Sequence, residues 1–351
     1  MHKVLALMLL PISVLYGIGV SIYQSLYQTG ILKSVRFSFP VLSIGNLTVG
    51  GTGKTPHVEY LIRLLTPYLE MGVLSRGYKR RSRGFLFVEP QHDASLVGDE
   101  PRQIADKFPG LAFAVAENRA LAIPRMLRER PELQLIVLDD GYQHFPVRAG
   151  LQLLLTEYAR PYTRDFLLPT GRLREWSYGA ARANAVIVTK CPEGLERSQR
   201  EQMRTTLRLK PEQSLFFSGL RYGEPYHLFH PGRHFLLNPS VHVTVISAIA
   251  QADYLVDYLE PRVGSLQSFH FEDHHYFTET ELDGLLSRHR AVTNTNKMIL
   301  TTEKDATRLR LHRNFLEQRE AEVYVLQVEV YFYDPGAFDD YIRSFLTGFR
   351  V

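Results

Sequence analysis

The segment GNLTVGGTGKTP, at Gly45–Pro56, has the residue types of a phosphate-binding loop. It ends in Gly53-Lys54-Thr55 like a Walker A loop, in which backbone N–H groups wrap a polyphosphate, lysine neutralises phosphate oxygens and threonine helps to hold Mg²⁺. The strict pattern requires glycine where this chain has Thr48. An apolar run precedes the segment and a helically spaced pattern follows it, which favours nucleotide binding over a structural glycine-rich turn. The predicted nucleotide-binding residues are Thr48, Val49, Gly50, Gly51, Thr52, Gly53, Lys54 and Thr55.

Two adjacent carboxylates end the apolar run LQLIVLDD at Leu133–Asp140. A strand that ends in a carboxylate places this group at the carboxyl edge of the sheet, beside the phosphate-binding loop, which is the Walker B position. Asp139 is therefore predicted to bind Mg²⁺ together with Thr55, and Asp140 to orient a water molecule or the substrate. The alternative is a strand that is followed by a solvated acidic turn.

Two further segments have groups that could handle a proton. VGDEP contains Asp99 in a glycine turn, and a kinase needs a group that orients or deprotonates the acceptor hydroxyl, although such acidic loops are more often solvated turns. FEDHHYF, residues 271–277, places His274 and His275 beside Asp273. Adjacent histidines point apart and the sequence has no third ligand at zinc-like spacing, so a histidine that a carboxylate polarises is favoured over a zinc site.

Basic residues form two clusters. Lys79–Arg83 is a charge run, which predicts a solvated face that could also meet anionic lipid headgroups. In PTGRLRE, the side chains of Arg172, Arg174 and Glu175 could contact phosphate, but their spacing alone does not establish it.

The elements that must position these residues are apolar strands that alternate with helical segments, which predicts a mostly parallel α/β sheet with helices on both faces. Strands are predicted around residues 40–44, 72–74, 111–115, 133–138, 151–155 and 185–189. A second series begins at Val241–Ala248 and continues near 266–271, 298–301 and 322–330. A boundary is predicted within Arg221–Pro239, which gives a first domain at 31–221 and a second α/β domain at 222–351.

The N-terminal residues 1–30 are predicted to form a membrane anchor. Val4–Ile22 carries no charge, and its 19 residues would span about 29 Å as a helix, close to the thickness of the bilayer core. Pro11 and Gly17 interrupt the run, and tyrosines favour the headgroup boundary, so an embedded helix and a spanning helix both remain open. A cleaved signal peptide and a buried core helix are the alternatives.

Composition limits the class of protein. Hydrophobic residues make up 45% of the 351 residues, which is enough for a large core and excludes a disordered chain. The net charge of +4 fits an anionic substrate or a membrane surface and is too small to indicate nucleic acid. A single cysteine, Cys191, excludes an intrachain disulfide and favours a reducing compartment.

Together these motifs resemble the tetraacyldisaccharide 4'-kinase family, the lipid A 4'-kinases of Gram-negative bacteria. The resemblance covers nearly the whole chain, and Thr48 is the form of the Walker A loop that the family has. It includes the apolar N-terminus and the segments GNLTVGGTGKTP, SRGY at Ser75–Tyr78, VGDEP, LDDGYQH at Leu138–His144, LPTGRLRE at Leu168–Glu175, DHH at Asp273–His275 and TTEKDA at Thr301–Ala306.

The resemblance implies transfer of the γ-phosphate of ATP, with Mg²⁺, to the 4'-hydroxyl of a tetraacyldisaccharide 1-phosphate, which yields lipid IVA for lipopolysaccharide. It implies two α/β/α domains, the first like a P-loop NTPase, with the second domain closing the active-site cleft. It also implies a location at the cytoplasmic face of the inner membrane, among its lipids. Neither nucleic acid nor an obligate protein partner is expected.

The resemblance also assigns roles to residues. Lys54 and Thr55 act in the loop, Asp139 binds metal, and Asp99, supported by His274, is the base at the acceptor hydroxyl. Other active-site residues, most of them expected to bind the substrate, are Asp140, Arg119, Gln143, His144, Arg174 and Glu175.

Two other classes of protein are weighed against this interpretation. A P-loop GTPase would read guanine with N/T-K-x-D, but here Thr189-Lys190 is followed by Cys191 and Pro192, so the acidic residue is missing. A nucleotide-gated membrane adaptor would bind ATP without releasing ADP when it meets a lipid disaccharide.

Overall fold

The structure is a computed structural model that describes residues 2–250 and 252–349, with the backbone alone for residues 2–7. Residues 1, 251, 350 and 351 of the predicted ranges lie outside this part. The first elements in chain order are α1 (His2–Gln28), β1 (Val41–Asn46), α2 (Lys54–Leu65), β2 (Met71–Ser75), β3 (Leu86–Phe87), α3 (Ala94–Val97), α4 (Asp99–Lys107), β4 (Ala112–Val115), α5 (Arg119–Glu129), β5 (Leu135–Asp139), β6 (Leu151–Glu157), β7 (Ala185–Thr189), α6 (Arg197–Leu207) and β8 (Ser214–Tyr222). They are followed by β9 (Tyr226–His227), β10 (His242–Ser247), α7 (Asp253–Leu259), β11 (Ser265–His270), α8 (Glu279–Ala291), β12 (Lys297–Thr302), α9 (Glu303–Leu309), α10 (Arg313–Gln318), β13 (Val323–Leu326), β14 (Val328–Phe332) and α11 (Pro335–Gly348).

The larger of two sheets has nine strands in the order β14-β8-β7-β6-β1-β5-β2-β4-β3. Neighbouring strands are parallel except at the two edges, where β3 pairs with β4 and β14 with β8 in antiparallel fashion. The strands β1, β5 and β7 are buried at every residue because helices cover both faces, and this explains their unbroken apolar runs. The predicted mostly parallel α/β architecture is confirmed.

Helices pack on both faces of this sheet. One face is covered by α2, α4 and α11, which bury Val58, Leu61, Ile62, Ile104, Phe338 and Ile342. The other face is covered by α5 through Ala122, Ile123 and Met126 and by α6 through Met203 and Leu207. Burial of each large apolar side chain contributes about 1.5–3 kcal/mol to the stability of the fold. The two helical layers therefore fix the positions of the strands and of their carboxyl ends.

The smaller sheet has five strands in the order β11-β10-β12-β13-β9, and only β9 runs antiparallel to its neighbour. Its core is filled from α8, α9 and α10 on one side, through residues that include Leu282, Leu285, Leu309 and Leu316. This sheet corresponds to the predicted second series of strands.

The chain returns to the larger sheet near its end, which differs from the predicted range 222–351 for a second domain. The predicted strand at 322–330 is two strands, since β13 belongs to the smaller sheet and β14 pairs with β8 of the larger one. The helix α11 then packs on the larger sheet's core. Valine and tyrosine occur on both sides of Gln327, so residue types alone do not reveal the crossing. Two chain segments therefore connect the sheets, one before β9 and one at Gln327.

The helix α1 has two different faces. The small and polar residues Ser13, Gly17, Ser21 and Gln24 form a stripe that contacts residues 167–178. Within this contact, the indole N–H of Trp176 donates to the carbonyl oxygen of Gly17. The remaining surface exposes large apolar side chains, among them Met8, Leu15, Ile18 and Ile22. Residues 8–28 are long and apolar enough to cross a membrane, and the docked stripe holds the helix against the larger sheet's loops.

Candidate active site

The predicted phosphate-binding loop joins β1 to α2 at the carboxyl edge of the larger sheet. Gly50 and Gly53 have φ values of 104° and 85°, which side chains with a Cβ rarely adopt. No side chain caps the first turn of α2, which begins at Lys54, so its N–H groups face the loop unpaired by a capping residue. Such an uncapped N-terminus is a ready site for phosphate.

The phosphate-binding loop packs against the segment that contains Arg172–Arg174. The N–H of Val49 donates to the carbonyl oxygen of Arg172 at 2.7 Å, and Thr48 forms an antiparallel bridge with Leu173. The bridge gives position 48 an extended backbone, which β-branched residues such as threonine favour. Glycine is therefore not required at this position of the loop.

Three charged side chains and one amide meet behind the loop. Lys54 Nζ lies 3.2 Å from Asn46 Oδ1 and 3.6 Å from Asp140 Oδ1. Arg174 donates to Asp140 Oδ2 and to Asn46 Oδ1, each at 3.0 Å, and to the carbonyl oxygen of Thr48. Burial opposes ionisation of Asp140, but Lys54 and Arg174 hold the pKa of this carboxyl well below its usual range. Asp140 is therefore an anion that fixes both cations.

Asp139 lies deeper than Asp140 and has little compensation for its charge. It is 1% exposed, its Oδ2 accepts from Ser75 Oγ at 3.2 Å, and its Oδ1 has no hydrogen-bond partner among the described residues. Burial, together with the charges of Glu100 and Asp140, raises the pKa of Asp139 to about 7. An orphaned buried oxygen beside a phosphate loop is what a bound cation would satisfy.

The residues fit Mg²⁺ in the way that nucleotide enzymes bind it. No group of three or more His, Cys, Asp or Glu that could hold a metal ion occurs in the described part of the chain. Mg²⁺ in such enzymes needs only one or two protein oxygens, because phosphate oxygens and water complete its octahedron. Asp139 and the hydroxyl of Thr55, at the first turn of α2, supply that kind of donor set.

Asp99 and His274 are in direct contact, although they are 175 positions apart in the sequence and belong to the regions of different sheets. Asp99 opens α4, and His274 lies in the loop after β11 of the smaller sheet. His274 Nδ1 is 3.0 Å from Asp99 Oδ2, Tyr276 donates its hydroxyl to Asp99 Oδ1 at 3.2 Å, and Arg308 Nη1 is 3.4 Å from Oδ2. Burial would raise the pKa of Asp99, but the hydrogen bond from His274 and the charge of Arg308 lower it, so Asp99 is a carboxylate.

The neighbouring His275 faces elsewhere. Its Nε2 lies 3.1 Å from both carboxylate oxygens of Glu281, at the start of α8. The two histidines therefore have separate partners, in keeping with the preference for a polarised histidine over a zinc site.

The contact between the two sheets is built from charged pairs that join α4 to α9 and the turn after it. Beyond Asp99–Arg308, these pairs are Glu100–Lys304 at 3.5 Å, Asp106–Arg310 at 3.0 Å and Lys107–Glu303 at 2.6 Å. Lys107 also reaches Glu59 of α2 at 2.7 Å. The phosphate-loop helix and the smaller sheet are thereby tied to the same helix, α4.

The residues predicted to bind the substrate lie around Asp140 at different depths. Arg119, 3% exposed, donates to the carbonyl oxygen of Asp140 at 2.8 Å. Gln143 donates to the carbonyl oxygen of Asn46 and to Glu175. His144 is half-buried, and burial together with Arg119 and Arg76 lowers its pKa to about 4.

Glu175 has contacts that favour a supporting role over substrate contact. It is 1% exposed, and both of its oxygens accept from the guanidinium of Arg182 at 2.8 Å. Gln24 of α1 and Gln143 donate to the same carboxylate. Glu175 therefore links the N-terminal helix to the loop that follows Asp140, a connection that sequence spacing does not reveal.

Four residues at the site have no assigned role from the sequence. Asn46 accepts from both Lys54 and Arg174, Ser75 donates to Asp139, and Lys304 and Arg308 surround the Asp99–His274 pair. Asn46, Ser75 and Lys304 belong to the motifs GNLTVGGTGKTP, SRGY and TTEKDA, whereas Arg308 follows the last motif by two residues. Only the fold brings these residues near their partners.

The buried histidine behind the loop predicts loss of stability in acid. His57 Nδ1 donates to the carbonyl oxygen of Gly53 at 2.7 Å, Nε2 lies 2.9 Å from Ser218 Oγ, and burial lowers the pKa of His57 to about 4. Since an unfolded histidine has a pKa near 6.5, the unfolded state takes up a proton first as the pH falls. His57 therefore contributes fully above about pH 6.5, and up to about 3 kcal/mol is lost as the pH falls to about 4.

The check is urea unfolding of the wild type and of His57→Gln at several pH values. We expect the difference in the free energy of unfolding between the two proteins to shrink on acidification, because other histidines contribute equally to both. Parallel curves across this pH range would contradict the prediction.

The chain is similar to proteins of known family along almost its whole length. A family model described as Tetraacyldisaccharide-1-P 4'-kinase matches residues 5–347. A tetraacyldisaccharide 4'-kinase of Bacteroides thetaiotaomicron is 40% identical over 334 residues, which cover 92% of this chain and 88% of that protein. One of Porphyromonas gingivalis is 41% identical over 330 residues, which cover 91% of each. A crystal structure of LpxK from Aquifex aeolicus in complex with ATP has a TM-score of 0.73 at 26% identity and covers 97% of this chain and 99% of that chain.

Proposed function

Because the chain belongs to the tetraacyldisaccharide-1-P 4'-kinase family, we propose that its reaction takes place where the phosphate-binding loop faces the Asp99–His274 pair. The enzyme is an ATP-dependent kinase that transfers the γ-phosphate to the 4'-hydroxyl of a tetraacyldisaccharide 1-phosphate and so forms lipid IVA in lipid A biosynthesis. The observation that carries the proposed site is the meeting of Lys54, Asp139 and Asp140 at one sheet edge, with Asp99 and His274 at the contact with the smaller sheet.

ATP is held in this proposal by the loop at residues 48–55. Its backbone N–H groups and the uncapped first turn of α2 bind the β- and γ-phosphates. Lys54 moves little, since its ammonium group already lies at the loop beside Asp140, and it neutralises the phosphate charge that grows during transfer. Arg174 and Asn46 keep this lysine and Asp140 in position.

Mg²⁺ accompanies ATP as the cofactor of this kinase, and we assign its protein ligands to Asp139 and Thr55. The ion, when bound, neutralises charge on the β- and γ-phosphate oxygens. Asp139 suits this role because its unpartnered Oδ1 is buried next to the loop. Ser75 holds the other oxygen of Asp139 and so orients the carboxylate.

The chemical step needs a group that accepts the hydroxyl proton of the acceptor sugar, and we assign it to Asp99. The 4'-oxygen forms a bond to the γ-phosphorus, the bond between this phosphorus and the β,γ-bridging oxygen breaks, and ADP leaves. The hydroxyl proton passes to the carboxylate of Asp99, which has about four lone-pair sites and uses two of them for hydrogen bonds from His274 and Tyr276. Arg308 lies 3.4 Å away as a charge partner, and the remaining sites are open to the acceptor hydroxyl.

The disaccharide 1-phosphate headgroup of the acceptor is proposed to contact Arg119, Gln143, His144 and Arg174. These side chains surround the loop that follows β5, and two of them are cationic, as an anionic headgroup requires. Glu175 then acts through others, because it holds Gln143 and Arg182 and anchors α1 through Gln24.

The assay that tests these assignments supplies purified protein with ATP labelled at the γ-phosphate and a disaccharide 1-phosphate lipid in detergent micelles. Label must appear in the lipid, and its appearance must depend on Mg²⁺. Label that is released only as inorganic phosphate would argue for an ATPase, and ATP binding without turnover would argue for an adaptor.

We further propose that α1 holds the enzyme at the cytoplasmic face of the inner membrane. The polar stripe of α1 faces the protein, while Met8, Leu15 and Ile22 are at least 58% exposed on the rest of its surface. Transfer of each such side chain from water to an apolar phase contributes about 1.5–3 kcal/mol. A helix that is docked along one side and apolar on the other suits a membrane surface, where the lipid acceptor lies.

Polar substitution of the exposed face is expected to release the enzyme from membranes. In the triple variant Met8→Gln, Leu15→Gln and Ile22→Gln, we expect the membrane-bound fraction after a high-salt wash to fall at least about tenfold, because several kcal/mol of apolar transfer is lost. Turnover of detergent-dispersed substrate should stay within about twofold, since the docked stripe is intact.

Deletion of residues 1–23 is the matched comparison, because it also removes Ser13, Gly17 and Ser21 from the loop at residues 167–178. If either protein still sediments fully with membranes, another surface is the anchor. A deletion that is inactive on dispersed lipid beside an active triple variant would show that the docked stripe shapes the acceptor site.

A further inference from the structure

The side chain of Lys304, in the first turn of α9, contacts the ring of His274. Its Nζ lies 3.1 Å from His274 Nε2, 3.3 Å from Asp273 Oδ1 and 3.5 Å from Glu100 Oε1. The side chain is 18% exposed, so the ammonium group stands at the edge of the cleft. It belongs to the motif TTEKDA and has no role in the mechanism above.

At hydrogen-bond distance, the two ring nitrogens of His274 face opposite kinds of partner, Asp99 at Nδ1 and Lys304 at Nε2. Asp273 Oδ2 lies further off, 3.7 Å from Nε2. Asp99 is a carboxylate and can only accept a hydrogen bond, so the proton must be on Nδ1. An ammonium group can only donate, so the lone pair must be on Nε2. Both contacts are satisfied together by only one form of the ring, the neutral imidazole with its proton on Nδ1.

We propose that Lys304 is a positioning residue that fixes His274 as the neutral Nδ1–H tautomer, so that the histidine serves Asp99 as a hydrogen-bond donor and the acceptor's proton passes to Asp99. This inference rests on the proposed function of the Asp99–His274 pair. Lys304 covers the Nε2 lone pair, and His274 therefore does not take the substrate's proton itself.

The other charges around the ring explain why a lysine is needed here. His274 contacts Asp99 from α4, Lys304 from α9, Asp273 from its own loop, and Tyr78, whose ring centroid is 5.1 Å away. Glu100 lies against Lys304, and Arg308 and Tyr276 lie against Asp99. Asp273 Oδ2, 3.7 Å from Nε2, is an acceptor that a proton on this nitrogen could meet. The contact with Lys304 opposes this proton directly, because two N–H donors cannot face each other at 3.1 Å.

The first test is the nitrogen-15 NMR spectrum of protein with labelled histidine, with His274 assigned by its absence in His274→Gln. In the wild type near neutral pH, we expect one protonated and one unprotonated ring nitrogen, with the proton on Nδ1. In Lys304→Met, both nitrogens should carry protons, because the acidic neighbours remain and the opposing ammonium is gone. A wild-type ring with its proton on Nε2, or one protonated at both nitrogens, overturns the proposal without any variant.

The kinetic test separates this role from a merely structural one. In Lys304→Met, kcat should fall on the order of 10- to 100-fold, the usual effect of losing a group that orients a functional histidine, and KM for ATP should stay within about twofold. Lys304→Arg keeps a donor cation and should restore most of kcat, and the exposed Lys210→Met is the matched control.

Unchanged ring signals and unchanged kcat in Lys304→Met would overturn the proposal. If the Asp99–His274 pair were not catalytic, His274→Gln would keep the wild-type kcat. The NMR spectrum of the wild-type ring would still report the tautomer of His274, so the two failures can be told apart.

Discussion

Replacement of Lys54 by alanine is expected to lower kcat on the order of a hundredfold or more, the usual loss when a donor to a transferring phosphoryl group is removed from a preorganised site. Lys54 is the first residue of α2, and its ammonium group is held at the loop by Asn46 and Asp140. This position costs no reorganisation when charge develops on the phosphate, which is why the loss falls on the rate of transfer.

The measurement is label transfer to lipid under saturating ATP and lipid, with Lys210→Ala, an exposed lysine in the same domain, as the matched control. Lys54→Arg should recover only part of the activity, because a planar guanidinium does not occupy the place of a compact ammonium group. A thermal unfolding curve for each variant separates lost chemistry from lost folding. Near wild-type turnover in Lys54→Ala would remove the loop at residues 48–55 from the nucleotide site.

The second large effect is expected at the contact between the two sheets. Asp99→Asn should lower kcat by about 10²–10⁴, the usual contribution of a positioned general base. The amide keeps the shape of the carboxylate, which matters because Arg308 is fully buried against it. Alanine would instead leave this guanidinium with a cavity beside it, and the cost to stability would obscure the effect on chemistry.

The geometry predicts that Asp99 and His274 act as one unit. With Nδ1 of the ring 3.0 Å from the carboxylate, the double variant Asp99→Asn with His274→Gln should be scarcely slower than Asp99→Asn alone. KM for ATP should change little in all three proteins, because neither residue belongs to the phosphate loop. Losses that multiply fully in this double-mutant cycle would mean two independent roles, and a His274→Gln variant that keeps most of kcat would make the ring a packing residue.

Opening of the cleft is restricted by the way the chain connects the sheets. The chain enters the smaller sheet before β9 and leaves it at Gln327, and β14 and α11 are built into the larger sheet. The ion pairs between α4 and the region of α9 close the side that carries Asp99. Any opening of the cleft would have to bend the two connecting segments, break these ion pairs and part Asp99 from His274.

The local parts of the site could be predicted from the sequence because short-range patterns determine them. A buried strand, a glycine-rich turn and an amphipathic helix follow one another within Pro40–Leu69, and this order alone places Lys54 at a helix N-terminus. Asp139 ends an apolar run, and the carboxyl ends of parallel strands share one edge, so its place beside the loop followed as well. The apolar helix at the N-terminus could be predicted for the same reason, since its length and its lack of charge are local properties of the sequence.

Only the tertiary structure decided which distant residues meet. Asp99 and His274 come from different sheets, and their contact depends on how α4 packs against α9, which no periodicity encodes. The same holds for Glu175, which the family resemblance placed with the active-site residues but which the fold buries beneath α1. It also holds for the break at Gln327 inside a stretch that was predicted as one strand. Hydrophobic patterning specifies that a side chain is buried, whereas the order of strands and the packing of helices specify its neighbours.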